Sequence, residues 1–122
     1  MGDKTGVILA VDVGTSTLKA SIYSIDLSAI ASASRCYQIS VHDQGMVDID
    51  PSMWWQAFQE VCYELKPHLN EIKVISLSVN TPGLSTMDGD GKPLFPSILH
   101  LDGRSRTQAS KIRELAGEDH LL

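Results

Sequence analysis

Hydroxyl, glycine and charged residues are concentrated in one short segment, Asp12-Val13-Gly14-Thr15-Ser16-Thr17-Leu18-Lys19. Gly14 permits backbone conformations closed to other residues, while the hydroxyls and successive backbone N–H groups can cradle phosphate oxygens. Lys19 adds a cation, and Asp12 can hold Mg²⁺ through water, because Mg²⁺ keeps most of its hydration shell. We therefore predict that residues 14–17, called the glycine-hydroxyl loop below, bind phosphate.

This segment is not a Walker A loop, because that motif precedes a helix and the residues after this loop alternate as in a strand. Taken alone, an ordinary hairpin turn with a capping aspartate is the alternative.

Other groups of acidic residues are interpreted without a binding role. Asp43, Asp48 and Asp50 are interpreted as a solvated acidic loop rather than a metal site. Residues 88–91 open like a calcium loop but lack its glutamate, so they predict a turn.

Hydrophobic periodicity predicts the strands that position the loop. Residues 6–11 are almost all apolar, which predicts a central strand that is buried on both faces and ends at Asp12. Residues 18–25 alternate apolar and polar side chains, as expected for the second strand of a β-hairpin. After a turn at residues 26–28, residues 30–41 predict a longer, polar strand nearer the sheet edge.

A helix and another apolar strand follow. Asp50-Pro51 is a helix start signal with a capping carboxylate, and apolar residues then recur at spacings of three and four. Residues 72–79 predict a second buried strand, so the helix connects two parallel strands. The apolar stripe of the helix comprises Trp54, Phe58, Val61, Cys62, Leu65 and Leu69.

The last third of the chain predicts a short hairpin and a second helix. Residues 84–87 and 94–99 are expected to pair around the turn between them. From Ser105, apolar residues recur at helical spacing until Gly117, which suits a C-terminal cap. Residues 118–122 are expected to form a ragged end.

Length and composition limit the classes of protein. The chain has 122 residues, 43% of them hydrophobic, which fits one domain or part of a larger protein but not a large two-domain enzyme. Its net charge of -5, with no basic run, argues against binding nucleic acid. The longest apolar run, residues 7–11, is far shorter than the roughly 18 residues of a membrane span. Partners are therefore expected to be small molecules or proteins.

Compartment is judged from the N-terminus and the cysteines. The first residues lead into a strand-length apolar run rather than into a secretory leader, so a cytoplasmic protein is expected. Cys36 and Cys62 are too few and too far apart for a disulfide framework or a zinc site. We expect both to be buried free thiols.

The order of the motifs resembles the start of the FGGY family of carbohydrate kinases. The resemblance covers essentially the whole chain, but members of the family are several times longer. We therefore expect residues 1–122 to be the N-terminal part of the first ATPase-like domain, with the second domain lying outside this chain. The motifs, in order, are an apolar strand, Asp12 to Lys19, Val47-Asp48-Ile49-Asp50-Pro51, Trp54-Trp55, a strand into Gly83, Gly91-Lys92-Pro93-Leu94 and Asp102-Gly103-Arg104.

The resemblance implies an α/β fold of the ribonuclease H-like, actin-like ATPase type, with helices packed on a mixed sheet. It implies ATP and Mg²⁺ as cofactors and a sugar or polyol as the small-molecule partner, and it is compatible with a homodimer of the full-length protein. Asp12 would be the metal-linked carboxylate, the glycine-hydroxyl loop the first phosphate loop, and Lys19 the basic position beside it. The sugar site would draw on Asn80, Thr81, Pro82, His100, Asp102 and Arg104.

The chain departs from the family pattern at the expected sugar site. Asn80-Thr81-Pro82-Gly83 stands where xylulokinase-like members commonly carry Gln-Met-His-Gly, and His100 stands where they carry Trp. A histidine lacks the large apolar face on which sugar C–H groups pack, and Pro82 can donate no hydrogen bond, so the sugar stays open. The Arg-Glu pair of glycerol-kinase-like members is also missing, which disfavours glycerol.

Plainer roles are open for three of these residues. His100 is equally consistent with a satisfied core or rim histidine. Asp102 and Arg104 could simply pair with each other or cap the helix that follows them.

Family members use an aspartate as general base toward the sugar hydroxyl, and that residue is expected to lie beyond Leu122. No catalytic residue is therefore expected in this chain, which should be inactive by itself. In the full-length protein, the resemblance implies in-line transfer of the terminal phosphoryl group of ATP to a sugar hydroxyl. The alternatives are a non-catalytic nucleotide-binding or regulatory module on the same fold, and an unrelated α/β domain with a chance turn.

Overall fold

The computed structural model describes residues 6–117. The chain also forms two short 3₁₀ helices, Asp43–Gly45 and Lys66–Glu71. No helix within residues 6–117 is both long and apolar enough to cross a membrane. The strands and helices are β1 (Val7–Val13), β2 (Thr17–Ser24), β3 (Ala29–Cys36), β4 (Ser40–Val41), β5 (Val47–Ile49), α1 (Ser52–Glu64), β6 (Ile72–Val79), β7 (Ser97–Ile98) and α2 (Arg106–Ala116).

The main sheet has the strand order β3-β2-β1-β6 and is mixed. Strand β1 pairs antiparallel with β2 and parallel with β6, which confirms both the predicted hairpin and the predicted parallel crossover through α1. Strand β1 continues to Val13, past its predicted end at Asp12, because Asp12 and Val13 still pair with Lys19 and Leu18. The turn of the hairpin therefore lies between Val13 and Thr17.

The core lies between one face of this sheet and α1, which packs on β2 and β3. Asp50 Oδ1 accepts a hydrogen bond from the Ser52 N–H at 2.9 Å, so the predicted capping carboxylate is confirmed. Alternation along β2 buries every second side chain, and each large one stabilises the fold by about 1.5–3 kcal/mol. The buried residues of this core include Leu9, Val11, Leu18, Ala20, Ile22, Ala57, Val61 and Leu65.

Two strands are less buried than predicted. Ile8 and Ala10 on the second face of β1 are only partly buried, so β1 is not buried on both faces. The prediction of a buried β6 is wrong within the described residues, because Ile75 and Leu77 are 56% and 66% exposed. The physical reason is that α1 covers β2 and β3 and leaves the neighbouring β6 bare.

The predicted long strand over residues 30–41 is two separate strands. Strand β3 ends at Cys36 and lies at the sheet edge, as predicted, while β4 joins a second sheet with the order β4-β5-β7. The break falls at Tyr37, whose side chain enters the core and is only 7% exposed. Cys36 beside it is exposed, which corrects the expectation of two buried thiols. Cys62 is partly buried, and this burial raises the pKa of its thiol.

The end of the described chain follows the predicted order. Isolated antiparallel bridges join Leu84 to Ile98 and Met87 to Pro93, so the two segments pair as expected but form little regular strand. Helix α2 ends at Ala116, and Gly117 at its C-cap has a φ of 78°, which is readily reached only by glycine. No residue of α2 is buried. The expected ragged end at residues 118–122 lies outside the described residues.

Candidate functional site

The pairing of β1 with its neighbours fixes the surroundings of Asp12. Its Cα partners are Lys19 on β2 and Ser78 on β6, so these side chains share one face of the sheet. Asp12 and Lys19 are both exposed. Together with Ser76 and Ser78 they line an open cleft of about 240 Å³. A carboxylate, an ammonium group and two hydroxyls are thus available at the loop end of the sheet.

The glycine-hydroxyl loop closes tightly and is not covered by other side chains. The Gly14 N–H donates to the Thr17 carbonyl at 3.0 Å, and a Cβ at Gly14 would lie 2.9 Å from that oxygen, closer than real contacts allow. Gly14, Thr15 and Thr17 are partly exposed and Ser16 is exposed. Among residues 6–117, the backbone N–H groups of Thr15 and Ser16 have no carbonyl partner, so the loop offers free donors.

Tyr37 anchors this loop from below and was not anticipated from the sequence. Its hydroxyl donates to the Gly14 carbonyl at 2.5 Å, and its backbone N–H donates to the Ser16 carbonyl at 3.0 Å. Burial raises the pKa of Tyr37, the negative charge of Asp12 raises it further, and the indole of Trp54 acts in the opposite direction. The only signal in the sequence was an aromatic residue within an otherwise polar strand prediction.

Asp102 and Arg104 do come together, but mainly to satisfy each other. The Asp102 side chain is only 3% exposed. It accepts hydrogen bonds from the Val47 N–H at 2.6 Å and from Arg104 Nε at 2.9 Å. Burial raises the pKa of the Asp102 carboxyl, but the hydrogen bonds from Arg104 and Val47 outweigh that effect and hold the pKa at about 2. Asp102 is therefore an ionised, fully engaged carboxylate.

The same ion pairs extend to the acidic group near residue 48. Arg104 donates to Asp48 Oδ2 at 3.0 Å, and His42 Nε2 lies 3.0 Å from Asp48 Oδ1. The hydrogen bond with His42, followed by that with Arg104, lowers the pKa of Asp48. Asp48 is thus not a solvated loop residue, because its side chain is 14% exposed and paired on both oxygens. We call Asp102, Arg104, Asp48 and His42 the charge cluster.

The residues expected at the sugar site follow two different strands: Asn80, Thr81 and Pro82 come after β6, and His100, Asp102 and Arg104 come after β7. Asn80 lies at the end of β6, where its N–H donates to the Val13 carbonyl at 2.8 Å, next to the glycine-hydroxyl loop. Its side-chain Oδ1 is buried, with no hydrogen-bond partner among the described residues. Thr81, Pro82 and His100 are exposed.

Arg104 lines a cleft beside the Leu84–Ile98 bridge. This cleft has a volume of about 240 Å³, and neither Asn80 nor His100 lines it. The alternative that Asp102 and Arg104 simply pair fits this geometry, whereas Ser105 rather than Asp102 occupies the N-cap of α2. The lining residues are Asp48, Leu84, Thr86, Phe95, Pro96, Ile98 and Arg104.

The residues around Asp12 could supply only one or two protein ligands to a metal ion. Within residues 6–117, no three His, Cys, Asp or Glu side chains come together in a metal-binding group. Asp12 is a single exposed carboxylate beside free loop donors, which suits Mg²⁺ because that ion takes one or two carboxylates and completes its shell with water and phosphate.

Comparisons with known proteins identify the family of the chain. A model of the N-terminal domain of the FGGY family of carbohydrate kinases matches residues 7–122. A xylulose kinase of Staphylococcus xylosus is 30% identical over 117 residues, which are 94% of this chain and 24% of that enzyme. The chain therefore spans about a quarter of the length of such curated relatives.

Solved structures extend the comparison to the fold. A gluconate kinase and a ligand-bound xylulose kinase, both from Lactobacillus acidophilus, each match with a TM-score of 0.83 at 27% identity. Each match covers 90% of this chain and 23% of the solved one. These neighbours have the actin-like ATPase fold, so the predicted fold class is confirmed.

Proposed function

Because this chain belongs to the FGGY family of carbohydrate kinases, we propose that it provides the first phosphate-binding side of an ATP-dependent kinase for a sugar or polyol. One observation carries the proposal: the glycine-hydroxyl loop is open and presents backbone donors that have no partner among residues 6–117, beside an exposed carboxylate. Residues 1–122 would form the N-terminal part of the first ATPase-like domain. The second domain would come from the additional length that relatives possess.

The residues at the loop fit a magnesium-bound nucleotide. Gly14 brings the backbone close to its own hairpin partner, where a side chain would clash, and the Thr15 and Ser16 N–H groups are free to donate to phosphate oxygens. Asp12 would hold Mg²⁺ through water, and the ion would supply positive charge to the phosphates. Lys19, which faces Asp12 across the hairpin, would add a cation to the same cleft.

The described residues assign no general base. Asp12 lies beside the loop in the position suited to the metal. Asp102 is ion-paired with a pKa of about 2, and such a weak base is poorly matched to accepting a proton near neutral pH. We propose that the base lies outside this chain and that the chain alone does not turn over.

The acceptor is proposed to be a sugar or polyol hydroxyl. The relatives named above are xylulose and gluconate kinases, and a ketose and a sugar acid differ enough that the identity of the acceptor is left to experiment. Asn80, Thr81, Pro82 and His100 are proposed as substrate contacts because they are exposed or carry an unpartnered polar atom. Asp102 and Arg104 would shape that side of the site through the charge cluster.

The experiment is a panel of pentoses, hexoses, heptoses, sugar acids and polyols, assayed for ADP formation by the full-length protein. We expect sugar-dependent ADP formation that requires Mg²⁺. Nucleotide binding without ADP formation on any acceptor would favour a non-catalytic module on the same fold. If neither binding nor ADP formation is detected, the proposed phosphate-binding role of the glycine-hydroxyl loop is wrong, although the family of the chain stands. A cytoplasmic location and a homodimer stay predictions.

A further inference from the structure

Tyr37 contacts the glycine-hydroxyl loop at two residues, Gly14 and Ser16, with two different donors. The phenol hydroxyl reaches the Gly14 carbonyl at 2.5 Å, and the backbone N–H reaches the Ser16 carbonyl at 3.0 Å. Tyr37 is the first residue after β3, where the pairing of Thr17 with Cys36 has just ended. The second contact thus extends the β2–β3 pairing by one step into the loop.

One of these contacts sets the direction of a free loop donor, the Thr15 N–H. A trans peptide is planar, and its C=O and N–H point in opposite directions. The Gly14 carbonyl belongs to the same peptide as the Thr15 N–H. Because Tyr37 is 7% exposed and packed in the core, its hydroxyl draws the Gly14 carbonyl inward. The Thr15 N–H must then face away from the core, on the exposed side of the loop.

The hydroxyl of Tyr37 is suited to this task over the whole physiological pH range. Burial and the charge of Asp12 both raise the pKa of Tyr37, so the phenol keeps its proton near neutral pH and acts as a donor. A phenylalanine at this position would fill nearly the same volume but would leave the inward-facing Gly14 carbonyl without its hydrogen-bond donor. The peptide between Gly14 and Thr15 would then be free to rotate.

We propose that Tyr37 is a positioning residue, which holds the Gly14 and Ser16 carbonyls toward the core so that the Thr15 N–H faces the nucleotide phosphates. The positioning role of Tyr37 can be tested without knowing which ligand the loop binds. The identity of the ligand rests on the function proposed above. Two measurements therefore separate the two claims.

The first measurement follows kinetics in the full-length protein carrying Tyr37→Phe. We expect KM for Mg·ATP to rise roughly five- to tenfold, the range expected when one hydrogen bond is lost, while KM for the sugar is unchanged. The matched control is Tyr63→Phe, the same chemical change at a side chain of α1 that is 80% exposed, and it should leave both constants unchanged. Equal changes in both KM values, or no change in either, would overturn the proposal.

The second measurement needs neither turnover nor a ligand. Hydrogen–deuterium exchange of the peptide containing residues 14–17 should be faster in Tyr37→Phe than in wild type, with exchange in α1 unchanged. If wild type shows no kinase activity, this result still tests the positioning role, so failure of the function and failure of the inference are distinguishable. Unchanged exchange at the loop would contradict the inference.

Wild type provides a further test if Tyr37→Phe does not fold. Binding of Mg²⁺ with a non-hydrolysable ATP analogue should slow exchange of the Thr15 amide, because that N–H is proposed to meet a phosphate oxygen. If the analogue binds and the Thr15 amide exchanges at the same rate as in the free protein, the proposed orientation is wrong.

Discussion

The glycine-hydroxyl loop and the charge cluster are both rich in polar groups, but they treat those groups differently. The loop fixes its carbonyls through Tyr37 and leaves the N–H groups of Thr15 and Ser16 without a carbonyl partner in the described part of the chain. In the charge cluster, by contrast, Asp102 and Arg104 are joined by several short hydrogen bonds, and Arg104 continues to Asp48. The loop therefore has donors available for a ligand, whereas most hydrogen-bonding groups of the charge cluster are already paired within the protein.

This difference separates binding groups from supporting groups. An unpaired donor beside an exposed carboxylate gains a hydrogen bond when a phosphate arrives, whereas a buried carboxylate that already accepts several hydrogen bonds would lose them to bind anything else. Charged residues close in sequence are therefore poor guides to a site unless their partners are known. Substitutions in the loop should act on nucleotide binding, and substitutions in the charge cluster should act on stability.

The largest effect is expected for Asp12→Asn in the full-length protein. Loss of the carboxylate that would orient the hydrated metal should lower turnover about 10- to 100-fold, with little change in Tm because Asp12 is exposed. Steady-state assays at saturating Mg·ATP measure turnover, and thermal unfolding measures Tm. Asp90→Asn, in an exposed turn, is the matched control. Full activity of Asp12→Asn would remove this residue from the mechanism.

The next effect is expected for Gly14→Ala. The added Cβ would lie 2.9 Å from the Thr17 carbonyl, so the loop must shift, at a cost of about 1–3 kcal/mol, and nucleotide should bind more weakly. Denaturant unfolding and nucleotide titration test this result. Gly89→Ala makes the same change where nothing lies within 4 Å and should be close to neutral. Similar behaviour of the two variants would mean that loop closure is unimportant.

Asp102→Asn should show the opposite behaviour, with a lower Tm and a KM for Mg·ATP close to that of wild type. The pKa of Asp102 is held at about 2, below its ordinary value of 3.8, so its stabilising contribution is present above pH 3.8 and is lost as the pH falls toward 2. Wild type should lose this contribution in that window and Asp102→Asn should not. Thermal unfolding between pH 2 and pH 7 measures it. Parallel pH profiles would show that Asp102 is not an ion-paired support.

The smallest effect is expected for His42→Gln. His42 is 47% exposed and meets Asp48 at the outer side of the charge cluster. Exposed pairs of this kind contribute about 0–1 kcal/mol, so the free energy of unfolding should fall by less than about 1 kcal/mol. Denaturant unfolding at two salt concentrations checks this value. A large loss that is insensitive to salt would show that the cluster depends on His42.

Local patterns predicted much of this fold. Alternation in residues 18–25 predicted β2, and the Asp50-Pro51 signal predicted the start of α1 to within two residues, because both depend on neighbours in sequence. The burial of β6 was predicted wrongly. Its apolar composition favours burial, but burial depends on which element packs on a strand, and α1 covers β2 and β3 instead.

The candidate site was predictable in its loop and less so in its surroundings. The residue types of the glycine-hydroxyl loop point to phosphate directly, since glycine and hydroxyls act there through the local backbone. Tyr37 is 23 residues from Gly14, and no periodicity in the sequence brings them together. The pairing of Asp48 with Arg104 spans 56 residues and likewise emerges only from tertiary structure.

The most direct test of the central claim is a crystal structure of the full-length protein with Mg²⁺ and a non-hydrolysable ATP analogue. We expect phosphate oxygens within about 2.7–3.2 Å of the Thr15 and Ser16 backbone nitrogens, with the Tyr37 hydroxyl still donating to the Gly14 carbonyl. An analogue whose phosphates bind elsewhere, and leave these N–H groups facing solvent, would contradict that claim.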